Sequence, residues 1–340
     1  MQSVPKRLSV ALAMNPRLTP DLLSEEDWTR LAASANILDR RPIERFDEPR
    51  ARDLLHEADV LLTGWGCSRI DEDVLAQSPR LKLVAHTGSS IRPIVSDALW
   101  LRGIIVTSSA AANAIPVAEF ALAIILLANK GVFAAREHYR AKREPLRYPW
   151  IAPGEKGNLG AVVGIVGASR TGRHLIRLLL AFNLTVLVYD PIADAEEIEA
   201  LGARLVSLDD LISAADVLSI HAPSLPQTRG MISADQLALL RDGATLINTA
   251  RGDLVDQQAL EQELSSGRIF AVLDVTDPEP LPQSSPLFDL PNAFVTPHIA
   301  GAAGWETRRL AQLAIDEVER FGRAAPLRHA VWPEMLATIG

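Results

Sequence analysis

The sequence predicts an α/β protein made of two parallel-sheet units, one inserted within the other. Three observations lead there. Short apolar runs alternate with helix-like stretches along the whole chain, the pattern of strands joined by helical crossovers with helices on both sheet faces. The chain has 340 residues, more than one hydrophobic core usually serves. Two long helix-like segments, residues 113–130 and 305–321, bracket a stretch that opens on its own strand, turn and helix. The expected division is therefore 1–112 with 303–340 for one domain, and 113–302 for the inserted one.

The candidate strands of the first domain are 8–14, 60–63, 81–85 and 104–107, short apolar runs between polar or glycine-containing stretches. The inserted domain offers 161–166, 185–189, 217–220, 245–248, 271–274 and 293–295. Helical segments between them include 172–182, 233–240 and 257–266. Residues 145–160, rich in Pro, Gly and charge, read as a loop.

Composition narrows the function. Apolar residues make up 48% and charged residues 22%, the balance of a soluble globular protein with ample core material. A formal net charge of −8 with no local basic cluster argues against nucleic acid as a partner. The single cysteine, Cys67, excludes an internal disulfide framework or a thiolate metal cluster, and fits a reducing cytoplasm. No other cluster shows metal-ligand spacing. Lys6 and Arg7 precede an apolar stretch, but only about three apolar residues come before the small-residue site at 11–13, where a leader needs roughly 7–15. A strand is the better reading. The apolar run at 121–128 falls well short of the ~18 residues of a membrane span. A soluble, cytoplasmic protein is expected.

The first motif with chemistry lies at 162–173, where a strand breaks into a tight turn and enters a helix: Val-Val-Gly-Ile-Val-Gly167-Ala-Ser169-Arg170-Thr171-Gly172-Arg. Glycines let such a turn approach a pyrophosphate, and the helix N-terminus supplies N–H donors and a positive dipole. Ser169 stands where the middle glycine of Gly-x-Gly-x-x-Gly would be; its hydroxyl is itself a possible phosphate donor. Asp190, eighteen residues past Gly172 at the next strand's end, sits where an acid binds the adenosine ribose. Its charge repels a 2′-phosphate, so NAD is expected rather than NADP.

Three later strands end in polar side chains. Asn-Thr249-Ala250-Arg251-Gly ends one, Asp274-Val-Thr-Asp-Pro-Glu279-Pro the next, and Pro-His298-Ile-Ala-Gly301 the last. Ligands of open α/β sheets collect beyond the carboxyl ends of the strands, so Arg, Glu and His are directed toward one crevice. Taken singly, each has an ordinary reading as strand cap, loop charge or core histidine. Three successive strand ends together argue for chemistry.

With these segments in this order, the chain resembles the D-isomer-specific 2-hydroxyacid dehydrogenases, a family that includes phosphoglycerate, glycerate and D-lactate dehydrogenases. The resemblance runs over about 81–321. It implies a flavodoxin-like substrate domain built from both chain ends, an inserted NAD-binding Rossmann domain, an active site in the cleft, and a homodimer whose interface includes the region of Tyr139, Tyr148 and Trp150. It implies catalysis by Arg251, Glu279 and His298. A planar guanidinium at Arg251 suits a substrate carboxylate and polarises the adjacent keto oxygen. His298 would exchange the proton on that oxygen, with Glu279 fixing its tautomer. By the same resemblance Asp274 meets the nicotinamide carboxamide, Thr249 and Ala250 line the ring, and Gly301 belongs to the cofactor loop. Pro223 and Thr228 follow His221 in a segment resembling a cofactor-flanking loop.

The substrate loop departs from the family pattern. A Gly-x-Asp or Gly-x-Asn core usually binds the carboxylate through backbone N–H groups; here Ser90-Ile91-Arg92 stands in its place. Backbone donors at Ser89, Ser90 and Ile91 remain the expected binders, with Arg92 adding charge. Trp65, between Gly64 and Gly66, either walls the pocket or fills the core. Rival readings are an NAD-sensing corepressor-like or scaffold protein of this fold, and a formate- or phosphite-dehydrogenase-like enzyme. The expected partner is a small 2-hydroxy or 2-keto acid.

Overall fold

Parallel pairing governs both sheets, as strand–helix alternation requires. The computed structural model describes residues 7–144 and 157–337. Tyr148, Trp150 and residues 145–156 of the expected loop lie outside the described residues. Contacts divide the chain into a first unit that runs to Asn113 and resumes at Ala302, and a second spanning Ala114–Gly301.

The first unit holds β1 (Ser9–Ala13), β2 (Asn36–Ile37), β3 (Val60–Thr63), β4 (Leu83–His86), β5 (Ile105–Ser108) and, from the far end of the chain, β13 (Ala330–Val331). Their order is β13-β5-β4-β3-β1-β2, with only β13 antiparallel. The parallel part has the flavodoxin-like order, reversing direction between β1 and β3. The helix Thr307–Gly322 covers one face, burying Leu310, Ala314, Ile315 and Val318 against Leu12, Leu62 and Leu83. Glu317 is fully buried in that helix; its carboxylate accepts the N–H groups of Arg328 and His329 at 3.0–3.2 Å. Those donors compensate the desolvated charge and fasten the C-terminal segment to the unit.

The second unit holds β6 (Val162–Val166), β7 (Thr185–Tyr189), β8 (Arg204–Leu205), β9 (Val217–Ile220), β10 (Thr245–Asn248), β11 (Phe270–Leu273) and β12 (Ala293–Val295). All are parallel in the order β12-β11-β10-β9-β6-β7-β8. This is the dinucleotide-fold order with one strand added, and it reverses between β6 and β9. The central strands are buried on both faces, between two apolar clusters that share no side chain.

Several elements start or end one to three residues from their expected bounds, and the structure departs further from the sequence reading at the edge strands and at the first long helix. The edge strands β2, β8 and β13 are two residues each, too short to leave a periodic signal. The helix Ala110–Asn129 starts three residues before the expected position and joins the apolar run at 121–128 to a further apolar stretch. It carries one charge, Glu119, and is long and apolar enough to cross a membrane. Its Ala118, Ala121 and Ile125 instead pack in the core of the second unit.

Candidate active site

The turn after β6 is built by close approach. Gly167 has φ of +98°, and a Cβ there would lie 2.6 Å from the Ala222 nitrogen on the neighbouring loop. At Gly172 a Cβ would stand 2.1 Å from the Gly167 carbonyl oxygen, so the helix Arg170–Leu179 packs directly onto the turn. Ser169 is its N-cap, and its hydroxyl oxygen accepts the Gly172 N–H at 3.3 Å. The hydroxyl proton stays available to a ligand. No acceptor among the described residues meets the N–H groups of Ser169, Arg170 or Thr171, and the exposed Arg170 guanidinium has no ion-pair partner there. Asp190 holds the turn from the next strand, accepting the N–H groups of Ala168 at 2.8 Å and Ile192 at 3.0 Å. Arg173, which the sequence did not single out, donates to the Ala168 carbonyl at 2.9 Å and pairs with Glu197.

The loops after β10, β11 and β12 form the second cluster. His298 Nδ1 lies 2.6 Å from Glu279 Oε1, with the two side chains 50% and 41% exposed. His298 has φ of +55°, which directs its loop back over Asp274. Asp274 is only 2% exposed. Its Oδ1 accepts from the Thr296 hydroxyl at 2.6 Å and the Ile299 N–H at 2.8 Å, and its Oδ2 from the Ala300 N–H at 2.8 Å. The Asp274 carbonyl accepts the His298 N–H at 3.0 Å. Asp274 is therefore the anchor of the histidine loop, a role that sequence spacing did not reveal.

Asn248, at the end of β10, does the same for Arg251. Its amide donates to the Arg251 carbonyl at 2.7 Å and its carbonyl accepts the Ala250 N–H at 3.0 Å. Arg251 Nη1 donates to the Ala250 carbonyl at 2.6 Å, and no other bond to the guanidinium is present among the described residues. The Nε–Nη2 edge is left for a bidentate acceptor. A Cβ at Gly252 would fall 2.0 Å from the Thr276 carbonyl carbon, so only glycine lets the arginine loop and the β11 loop pack this closely.

Residues 122–300 match the NAD-binding domain of the D-isomer specific 2-hydroxyacid dehydrogenases. The chain belongs to this family. It is 34% identical over 326 residues to a D-3-phosphoglycerate dehydrogenase of Mycobacterium tuberculosis, covering 91% of this chain and 60% of that protein. The chain thus spans well under two thirds of the length of that relative. A glyoxylate reductase of Korarchaeum cryptofilum is 33% identical over 256 residues, covering 75% of this chain and 77% of the reductase. Among solved structures, a Thermus thermophilus protein superposes with a TM-score of 0.73 at 28% identity, over 96% of this chain and all of that one.

In this 2-hydroxyacid dehydrogenase family member, the residues present fit NAD. The unpaired N–H groups at Ser169–Thr171 suit a pyrophosphate. Thr249, 8% exposed, has its hydroxyl oxygen buried without a partner in the loop expected to line the nicotinamide. Ala250 is half-buried against the core of the unit, and Gly301 closes the β12 loop. Pro223 and Thr228 sit in one loop after β9. The Thr228 hydroxyl donates to the Pro223 carbonyl at 2.6 Å and accepts the Leu225 N–H at 2.9 Å, so it shapes the loop rather than reaching outward. His221 is buried with Nε2 2.8 Å from the Ser219 hydroxyl, and burial lowers its pKa to about 4. The i, i+2 spacing of Ser219 and His221 already placed them on one strand face.

In the first unit, Ser89 and Ser90 are half-buried and Ile91 is buried. None of their N–H groups has an acceptor among the described residues. Arg92 donates to the Leu336 carbonyl, which ties its charge to the C-terminal segment. His86 lies beneath this loop, its Nδ1 2.9 Å from the Thr63 hydroxyl; burial lowers its pKa to about 4, opposed by a backbone hydrogen bond with Ser90 that favours the protonated ring. Trp65 is 39% exposed and so does not fill the core.

Proposed function

We propose that this chain reduces a small 2-keto acid to the D-2-hydroxy acid with NADH, and oxidises the hydroxy acid in reverse. The observation that carries this reading is the 2.6 Å contact of His298 Nδ1 with Glu279 Oε1 on strand-end loops of the same sheet that carries the dinucleotide turn. When bound, reduced nicotinamide supplies the hydride that adds to the keto carbon. With Nδ1 directed to Glu279, His298 Nε2 delivers the proton to the keto oxygen; keto acid, NADH and H⁺ become hydroxy acid and NAD⁺. For a carboxylate, Arg251 in the second unit offers its open Nε–Nη2 edge, and Ser89, Ser90 and Ile91 in the first unit offer unpaired N–H groups. Asp190 favours NADH, since a 2′-phosphate beside its carboxylate is repelled. The test is NADH consumption with glyoxylate, hydroxypyruvate, pyruvate, branched and aromatic 2-keto acids. Turnover of at least one is expected, and NADH should bind at least about tenfold more tightly than NADPH. Inertness toward all of them sinks the reading.

The reading also includes a cytoplasmic homodimer. What supports the dimer is the helix Ala110–Asn129, less than half buried despite its apolar sequence, whose exposed Leu127 is followed by the exposed Val132 and Tyr139 of the next helix. A second copy of the chain would cover this surface.

A further inference from the structure

The C-terminal crest of the first sheet carries an aromatic side chain that neither the hydride chemistry nor the core uses. Trp65 follows β3 beside the point where strand order reverses, between β1 and β3. That is where open α/β sheets gather ligands. The turn that presents it is rigid. A Cβ at Gly64 would lie 2.8 Å from the Thr87 hydroxyl oxygen and 3.3 Å from the Met14 sulfur. Gly66 has φ of +84°, and a Cβ there would stand 2.9 Å from the Asn15 Cβ. The Trp65 carbonyl accepts the Asn15 N–H at 2.8 Å, locking the turn to the end of β1. The backbone is held on every side while the indole stays 39% exposed.

The adjacent strand ends in the loop proposed above to bind the carboxylate. β3 and β4 pair in register, Thr63 with His86, and the Thr87 N–H donates to the Thr63 carbonyl at 2.8 Å. A Cβ at Gly88 would meet His86 Nε2 at 2.4 Å, so the loop closes directly on the buried imidazole. Its N–H groups at Ser89, Ser90 and Ile91, and the hydroxyls of Ser89 and Ser90, have no partner among the described residues. The turn that carries Trp65 is thus one strand spacing from that loop on the same crest of the sheet.

We propose that Trp65 selects the substrate side chain, and that the preferred substrates are 2-keto acids with an aromatic or branched apolar side chain. This rests on the dehydrogenase reading above and narrows it. A flat indole gains by covering apolar surface and offers nothing to a phosphate. Arg92 on this crest is already tied to the Leu336 carbonyl; Arg17 and Arg69 are exposed in the segments that follow β1 and β3, and a phosphorylated keto acid would have to draw on them.

The experiment compares kcat/KM for phenylpyruvate, 4-methyl-2-oxopentanoate, glyoxylate and 3-phosphohydroxypyruvate in the wild type, Trp65→Ala and Trp65→Phe, with NADH affinity measured alongside. The wild type should prefer the apolar acids to the phosphorylated one by about tenfold or more. Trp65→Ala should lower kcat/KM for phenylpyruvate about 10- to 100-fold and for glyoxylate, which has no side chain, by about threefold or less. Trp65→Phe should restore most of the loss, with NADH affinity held throughout. Equal losses for glyoxylate and phenylpyruvate, no loss for either, or preference for the phosphorylated acid overturns the assignment while leaving the dehydrogenase intact. A wild type that reduces only pyruvate or hydroxypyruvate overturns the assignment alone; one inert toward these and all four defeats the dehydrogenase reading, and this one with it.

Discussion

Arg251 shows how much a side chain's use depends on what has already been spent. Nη1 is committed to its own loop, through the Ala250 carbonyl, and that bond orients the remaining edge. A lysine would keep the charge and lose the two-pronged geometry. Arg251→Lys should therefore raise KM for the keto acid about tenfold or more with NADH affinity unchanged, read by steady-state kinetics and a fluorescence titration. An unchanged KM would remove Arg251 from the carboxylate site. The three strand-end residues were legible in the sequence because type and position coincide. Asn248 and Asp274 were only half legible: their positions were visible, but their partners, the Arg251 carbonyl and the Ile299 and Ala300 N–H groups, depend on how the loops fold back.

At the level of elements, strands of three residues or more announce themselves and the two-residue edges do not. β3, β7, β9, β10 and β12 coincide with their apolar runs, whereas β2, β8 and β13 pair through two residues each. The ends of β4 and β9 also carry a pH response. His86 and His221 are buried, and burial lowers both to about 4, from the 6.5 of an exposed imidazole. Above pH 6.5 both the folded and unfolded forms are neutral and nothing is lost. As pH falls from 6.5 toward 4 the unfolded chain takes up protons that the folded one refuses, so stability declines. The slope should be about 1.4 kcal/mol per pH unit for each histidine, levelling below 4. Denaturant midpoints measured across that window check it; His221→Gln should flatten the slope, and an unaltered slope would count against the buried, neutral imidazole.

For the whole molecule, the insertion of one α/β unit within another follows from two long helices around a nucleotide-type turn. The helix Ala110–Asn129 passes from one unit to the other, its Ala112 in the first core and its Ala118, Ala121 and Ile125 in the second. Its uncovered apolar side is the basis of the proposed dimer. Sedimentation equilibrium should give twice the chain mass, and Leu127→Glu with Val132→Glu should return it to the monomer; a wild-type monomer at micromolar concentration would refute the interface. The substrate was the least legible feature: the proposal for it rests on Trp65 and the Ser89–Ile91 loop following two neighbouring strands, β3 and β4, which no single motif encodes.

The most direct test is His298→Ala, assayed for reduction of the best keto acid and for NADH binding in the same preparation. If His298 moves the proton, turnover falls by about 10²- to 10⁴-fold while NADH affinity stays within about twofold. Wild-type turnover in the variant would contradict the proposed chemistry at its centre.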